Sequence, residues 1–316
     1  MKGAGIVCSG NIVADLLVRP VDEFRWGASL WVEDMARSLG GNGANTSYAA
    51  AVCGARVRLW GMVGADEAGE YALAQLDAAG VDTRAVIRSS GYPTAASVVL
   101  VKTNGDRMFL HRPGASLAVF AEPLSFAGLP EEGFSHYHLA SPFALPLQRP
   151  HAAENLRRAR AAGLTTSVDA QWDSRGRWMQ DFAALLPHTD YLFLNQEEAE
   201  RLAGTEDPPA AAARLREAGA RWVILKLGAR GCRVFGPGAD FTQPAFPVTV
   251  VDTTGAGDCF AGAFLAATQQ GASLAEAARQ ACAVAALTVR AMGAVAGLPP
   301  RARLREAVAN LAPGAP

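Results

Sequence analysis

Lysine is nearly missing: the 316 residues hold 26 arginines but only Lys2, Lys102 and Lys226, and the basic residues are scattered along the chain. No polybasic patch is offered to a nucleic-acid backbone or an anionic membrane, so neither is expected as a partner. The loop G-x-x-x-x-G-K-[ST] does not occur, which excludes Walker-type nucleotide binding; the dinucleotide fingerprint G-x-G-x-x-G and the H-R-D and D-F-G elements of protein kinases are missing as well. Five cysteines, widely separated and without a C-x-x-C pair, argue against a disulfide framework or a zinc site and for a reducing compartment. No apolar run reaches about 18 residues, so no membrane span is expected. The apolar stretch Ile6-Val7-Cys8 is too short for a signal peptide, and a cytoplasmic protein is the default.

What is present is an ordinary globular composition, half apolar, 19% charged and with a net charge of -1. Short apolar runs alternate with Ala-rich helical stretches, the pattern of an α/β fold with a buried sheet. Strands are expected at Gly5 to Ser9, Val57 to Val63, His136 to Ser141, Thr166 to Asp169, Tyr191 to Asn195 and Trp222 to Leu227. Helices are expected at Ala44 to Cys53, Glu67 to Ala79, Pro150 to Ala162, Ala210 to Ala218, Ala256 to Gln270 and Leu274 to Met292, the last two with a small-residue face suited to close packing. Two stretches, about 15–38 and 94–113, break this rhythm. The second reads as a hairpin around Asn104-Gly105, so the two together predict a small discontinuous β lid on a single domain spanning 1–316. The Pro/Ala/Gly tail 312–316 is expected to fray.

Three motifs carry chemistry. Asp252-Thr253-Thr254-Gly255-Ala256-Gly257-Asp258 runs into an apolar helix, so small residues leave backbone N–H groups uncovered at a helix start, a site for an anion. A carboxylate beside such a site repels a resting phosphate unless it has its own task, and the natural task for Asp258 is general base; the alternative is that Asp258 merely caps the helix. Gly40-Gly41-Asn42-Gly43-Ala44-Asn45 also opens a helix, with amide side chains suited to a sugar or polyol, or simply a glycine turn. Asn195-Gln196-Glu197-Glu198 closes a strand and opens a helix: Asn195 and Glu198 either hold water around Mg²⁺ or cap the helix. His136 and His138, spaced two apart on a strand, have no third ligand nearby and read as core or surface histidines. Cys259 reads as an inert buried thiol.

Taken together, the two glycine loops resemble the paired signatures of the ribokinase-like sugar kinases, the family that includes phosphofructokinase B. The first signature extends through Gly61-Met62-Val63-Gly64 and on to Ala79-Gly80-Val81, and the second is Asp252 to Asp258. The resemblance implies a three-layer α/β/α sandwich with a small β lid, ATP as donor, Mg²⁺, and phosphorylation of a hydroxyl on a small sugar or nucleoside. It implies Asp258 as catalytic base, with Gly255, Ala256 and Gly257 as its anion hole. It places the sugar at Asp15, Gly41, Asn42 and Asn45, and the nucleotide at Asn195, Lys226, Gly228 and Gly231. Glu198 organises Mg²⁺ through water, and Asp252 and Thr254 fall where potassium-activated relatives bind a monovalent cation.

Departures accompany the match. Asn42 replaces the lysine of true ribokinases, and Ser141 lies near the place of a substrate-proximal glutamate, which puts ribose itself in doubt; Cys282 sits where an adenine-facing asparagine is expected. An exposed apolar lid face would be covered by a second copy, giving a homodimer. The rival readings are a nucleoside kinase on the same fold and a sugar or nucleotide sensor without turnover; retention of Asp258 and its loop favours an enzyme.

Overall fold

The computed structural model describes residues 4–104 and 106–311. Nine strands, numbered along the chain, form the main sheet in the order β15 (Ala239–Gln243), β14 (Cys232–Gly236), β13 (Trp222–Lys226), β12 (Tyr191–Asn195), β11 (Thr165–Asp169), β10 (Phe134–Leu139), β1 (Gly5–Ser9), β4 (Val57–Trp60) and β6 (Val81–Asp82). From β13 to β6 every pair is parallel, and the β14–β15 hairpin adds two antiparallel strands at one edge.

Alternation along each strand explains the layers. Ile6 and Cys8 of β1, Phe193 of β12 and Ile224 of β13 face one apolar layer, while Val7, Leu192, Leu194, Val223 and Leu225 face the other. A sheet buried on both sides needs near-continuous apolar strands, which is what these are. The first layer is made by α1 (Asn42–Val52), α2 (Glu67–Ala79), α7 (Ala256–Gln269), α8 (Leu274–Thr288) and α9 (Arg301–Ala309). The second is made by α3 (Ala152–Ala161), the short α4 (Met179–Phe182), α5 (Gln196–Ala203) and α6 (Pro208–Glu217). The result is the expected α/β/α sandwich. Packing between α1 and α7 is tight enough that a Cβ on Gly262 would come within 2.3 Å of the Thr46 carbonyl oxygen, so only glycine fits.

A separate four-stranded sheet has the order β3 (Asp34–Gly40), β2 (Val13–Arg19), β8 (Ala95–Val101), β9 (Arg107–Arg112), and so draws its strands from the two stretches that lack helices. Its inward row includes Asp15, Leu17, Ser97 and Val99, while Val18, Met35, Leu100 and Met108 line up across the outward face. The tip of the β8–β9 hairpin at Gly105 lies outside the described residues, as does the tail 312–316.

Several boundaries differ from expectation. Val57 to Val63 is two strands: β4 belongs to the main sheet, and β5 (Met62–Gly64) pairs with β7 (Ile87–Ser89). The helix expected to reach Met292 ends at Thr288: the Arg290 N–H turns to the Leu287 carbonyl, and the 251–252 loop takes the Val289 carbonyl through the Val251 N–H (2.8 Å) and the Gly293 N–H through Asp252 Oδ2 (2.9 Å). The helix expected from Pro150 starts at Ala152, after a turn of 3₁₀ helix.

Candidate active site

The sheet order reverses at β1, with β4 on one side and β10 on the other. In open α/β sheets the crevice beyond the carboxyl ends of the strands at such a reversal is where ligands bind. Asp169 ends β11, Asn195 ends β12 and Lys226 ends β13, so three polar side chains close three neighbouring strands on that edge.

The centre of the site is the start of α7. Its N-cap is Gly255 in the left-handed region (φ 72°), where an added Cβ would lie 2.6 Å from Ala294 Cβ, and no side chain caps the helix. The Cys259 N–H bonds the Gly255 carbonyl at 2.8 Å, and the Ala256 N–H reaches Thr253 O at 3.3 Å. Among the described residues the N–H groups of Gly257 and Asp258 take no partner. Asp258 does not cap. Its carboxylate turns to α1, where Oδ1 accepts from Asn42 Nδ2 and Oδ2 from Asn45 Nδ2, both at 2.9 Å. Burial pushes the Asp258 carboxyl above the ordinary carboxylate range, opposed by these two amides and by the Lys226 charge.

Around it the other sequence-derived residues fall into place at different distances from this chemistry. Gly41 is the N-cap of α1, and the Asn42 N–H donates to Asn11 Oδ1 (2.9 Å), which also accepts from Ser141 Oγ (2.8 Å). Asn45 Oδ1 is buried without a hydrogen-bond partner among the described residues. Asp15 lies on the inward face of the four-stranded sheet; burial raises its carboxyl, with Ser97 and His111 opposing. Lys226 Nζ donates to both oxygens of Asp169, at 2.8 and 2.9 Å, and sits beside the start of α7, 3.1 Å from where a Cβ on Gly257 would stand. Burial alone would lower the Lys226 ammonium, yet Asp169, Glu198 and Asp258 outweigh it and hold the charge. Gly228 and Gly231 form the turn between β13 and β14. Asn195 and Glu198 make a reciprocal cap on α5, with Asn195 Oδ1 accepting from the Glu198 N–H and Glu198 Oε2 from the Asn195 N–H, each at 2.8 Å.

Asp252 and Thr254 engage Arg107 of β9. Its Nη1 donates to Asp252 Oδ1 and Thr254 Oγ1, and its Nη2 to Thr253 Oγ1 at 2.7 Å. Cys282 faces Cys232, with the sulfurs 3.8 Å apart. His136 and His138 flank Ser167 Oγ at 2.7 Å each, and burial drops the His136 imidazole to about 3, so both are neutral core groups. No cluster of three or more metal-ligating side chains exists among the described residues. No helix among them is long and apolar enough to cross a membrane.

Three residues at the site escape sequence reasoning. Asp169 shares with Asn195 and Lys226 the last position of a parallel strand, a signal that the carboxyl-end rule makes readable. Asn11 stands beside the first glycine loop only through the fold. Arg107 gives no signal at all, being one arginine among 26.

Comparison with known proteins agrees with this geometry. The description "pfkB family carbohydrate kinase" matches residues 4–301. The chain is 29% identical to fructokinase-1 of Zea mays over 86% of its length and 88% of that protein's, and 32% identical to an ATP-dependent ribose-1-phosphate kinase of Halopiger xanaduensis over 74% and 75%. Ribokinase of Arabidopsis thaliana, solved with ribose and ATP, superposes with a TM-score of 0.84 at 27% identity, over 97% of this chain and 99% of that one. The chain belongs to the pfkB family of carbohydrate kinases and is an ATP-dependent sugar kinase.

Proposed function

We propose that the acceptor is a hydroxyl of a small sugar or sugar-derived molecule, that Asp258 is its general base, and that the Gly255–Gly257 loop stabilises the transferring phosphoryl group. The observation that carries this reading is the start of α7: an uncapped helix N-terminus with a carboxylate in its first turn, aimed by two amides rather than spent on the helix. In the reaction the hydroxyl proton passes to Asp258, the hydroxyl oxygen bonds to the γ-phosphorus, and the bond from that phosphorus to the bridging oxygen breaks to release ADP. Burial raises the affinity of Asp258 for that proton, while the hydrogen bonds from Asn42 and Asn45 act the other way and favour its ionised form. Backbone amides and Lys226 meet the charge on the phosphoryl oxygens, so the acceleration is mainly positioning and electrostatics.

Asp15, Gly41, Asn42 and Asn45 are proposed to hold the acceptor, with the unpartnered Asn45 Oδ1 available to a sugar hydroxyl. Asn195, Lys226, Gly228 and Gly231 are proposed for the nucleotide side. The cap on α5 uses Glu198 Oε2, and among the described residues no hydrogen bond reaches Oε1, so this oxygen is open to a water of Mg²⁺. When bound with ATP, Mg²⁺ supplies charge neutralisation on the phosphates.

The whole chain is read as one domain, with the four-stranded sheet as a lid that excludes water. Its outward face leaves Met35, Met108 and Leu110 about half exposed, and a second copy of the chain is the proposed cover. Light scattering checks this: a monomer at all concentrations removes the dimer.

ADP release from Mg-ATP across pentoses, hexoses, keto-deoxy acids and nucleosides tests the function, with Asp258→Asn as control. Turnover on a sugar, lost in the variant, is expected. Turnover on nucleosides alone gives the acceptor to that class, and binding of ATP or sugar with no turnover on any acceptor makes the chain a sensor.

A further inference from the structure

We infer that Arg107 is a built-in cation for the anion loop, so that this chain, unlike potassium-activated relatives, turns over independently of a monovalent cation. The inference rests on the kinase reading of the 252–258 loop. Asp252 and Thr254 offer the carboxylate and hydroxyl oxygens that suit potassium, but in this chain they are already occupied by a guanidinium.

The donors are accounted for atom by atom. Asp252 Oδ2 accepts from the Gly293 N–H at 2.9 Å. Its Oδ1 accepts from the Thr254 N–H at 2.9 Å, from Thr254 Oγ1 at 2.7 Å and from Arg107 Nη1. Arg107 Nη1 also donates to Thr254 Oγ1, and Nη2 donates to Thr253 Oγ1. Oδ1, the oxygen that meets Arg107, thus takes three donors and is fully engaged, while Oδ2 takes one. Its charge is buried, with side-chain exposure of 5% for Asp252 against 24% for Arg107, so a counter-charge is required and one is present. A potassium ion at the same oxygens would displace the guanidinium or sit against a like charge.

The origin of the cation matters as much as its charge. Arg107 is the first residue of β9, in the four-stranded sheet, whereas Asp252 to Thr254 lead directly into the Gly255 turn. The positive charge therefore reaches the loop only when that sheet lies over the site. A potassium ion would bind whether the sheet were open or closed. Arg107 is a positioning residue: its planar fork fixes the loop that presents the anion-hole amides.

The test compares potassium chloride with tetramethylammonium chloride at equal ionic strength, on the full chain and on Arg107→Ala and Arg107→Lys. Wild-type kcat is expected to agree within about twofold in the two salts, while Arg107→Ala falls about 10- to 100-fold in tetramethylammonium, the cost of a misplaced anion loop, and is partly restored by potassium or guanidinium ions. Arg107→Lys should keep both activity and salt independence. Thermal unfolding without substrate gives a second readout: potassium should raise Tm of Arg107→Ala and leave wild-type Tm unchanged. Several-fold activation of the wild type by potassium, or an Arg107→Ala variant whose kcat and Tm are unaltered in both salts, overturns the inference. A chain that phosphorylates no acceptor removes the kinase reading, and the unfolding experiment then decides the cation question alone.

Discussion

Helices α5 and α7 both begin at the carboxyl edge of the sheet, and they treat their free N–H groups in opposite ways. At α5 the strand-ending Asn195 caps the helix and Glu198 returns the favour, so the first turn is satisfied internally. At α7 a left-handed glycine starts the helix, no side chain caps it, and the one carboxylate in the first turn is drawn off to α1. An oxyanion can be received only at the second of these. The comparison shows that an acidic residue in the first helical turn is not diagnostic of function by itself; what separates Glu198 from Asp258 is which groups its oxygens accept from.

The strongest way to break the comparison is Asp258→Asn. Turnover should fall by about two to four orders of magnitude while the fold and acceptor binding persist, as seen by calorimetry and circular dichroism. Undiminished kcat would return Asp258 to the standing of Glu198. Next in size, Gly255→Ala forces a side chain into the left-handed region and against Ala294, and should cost about 1–3 kcal/mol of stability together with about 10- to 100-fold in kcat.

Asn42→Ala and Asn45→Ala sharpen the comparison through pH. Each amide stabilises the ionised form of Asp258, so removing one raises the carboxyl further and protonates the base at a higher pH. The acid limb of the kcat–pH profile should therefore move to higher pH in both variants; a limb that stays in place or moves down would show that Asp258 is not the titrating base. The smallest effect on kcat is expected from Asn195→Ala, which removes a cap worth about 1 kcal/mol on the proposed nucleotide side and should appear in the urea midpoint and the KM for ATP more than in kcat. A larger loss of turnover there than in Gly255→Ala would reverse the roles of the two helix starts.

Much of this was readable in the chain itself, for a physical reason. The boundaries of β1, β12 and α2 coincide with their sequence patterns because period and punctuation are local: a buried apolar run, or the Asp66 cap and Gly80 at the two ends of a helix. The end of α8 was not readable, since Asp252 takes Gly293 by a contact across the fold. Nor was the β14–β15 hairpin, whose five-residue edge strands carry little pattern. The same division runs through the site. Glycine and aspartate at a helix start announce an anion loop, whereas the partnership of Arg107 with Asp252 joins residues 145 positions apart and leaves no mark on either neighbourhood.

The contact at Gly262 sets a fixed gauge. It lies one helical turn beyond Asp258 on α7, and it meets α1 at Thr46, next to Asn45. The separation of Asp258 from the amides of Asn42 and Asn45 is thus determined by backbone against backbone, within the buried contact of α1 and α7. Residues on the four-stranded sheet, Asp15 among them, lie outside that gauge. Asp15 can therefore be exchanged without moving Asp258 against Asn42 and Asn45, whereas a change at Arg107 on the same sheet reaches the 252–254 loop directly.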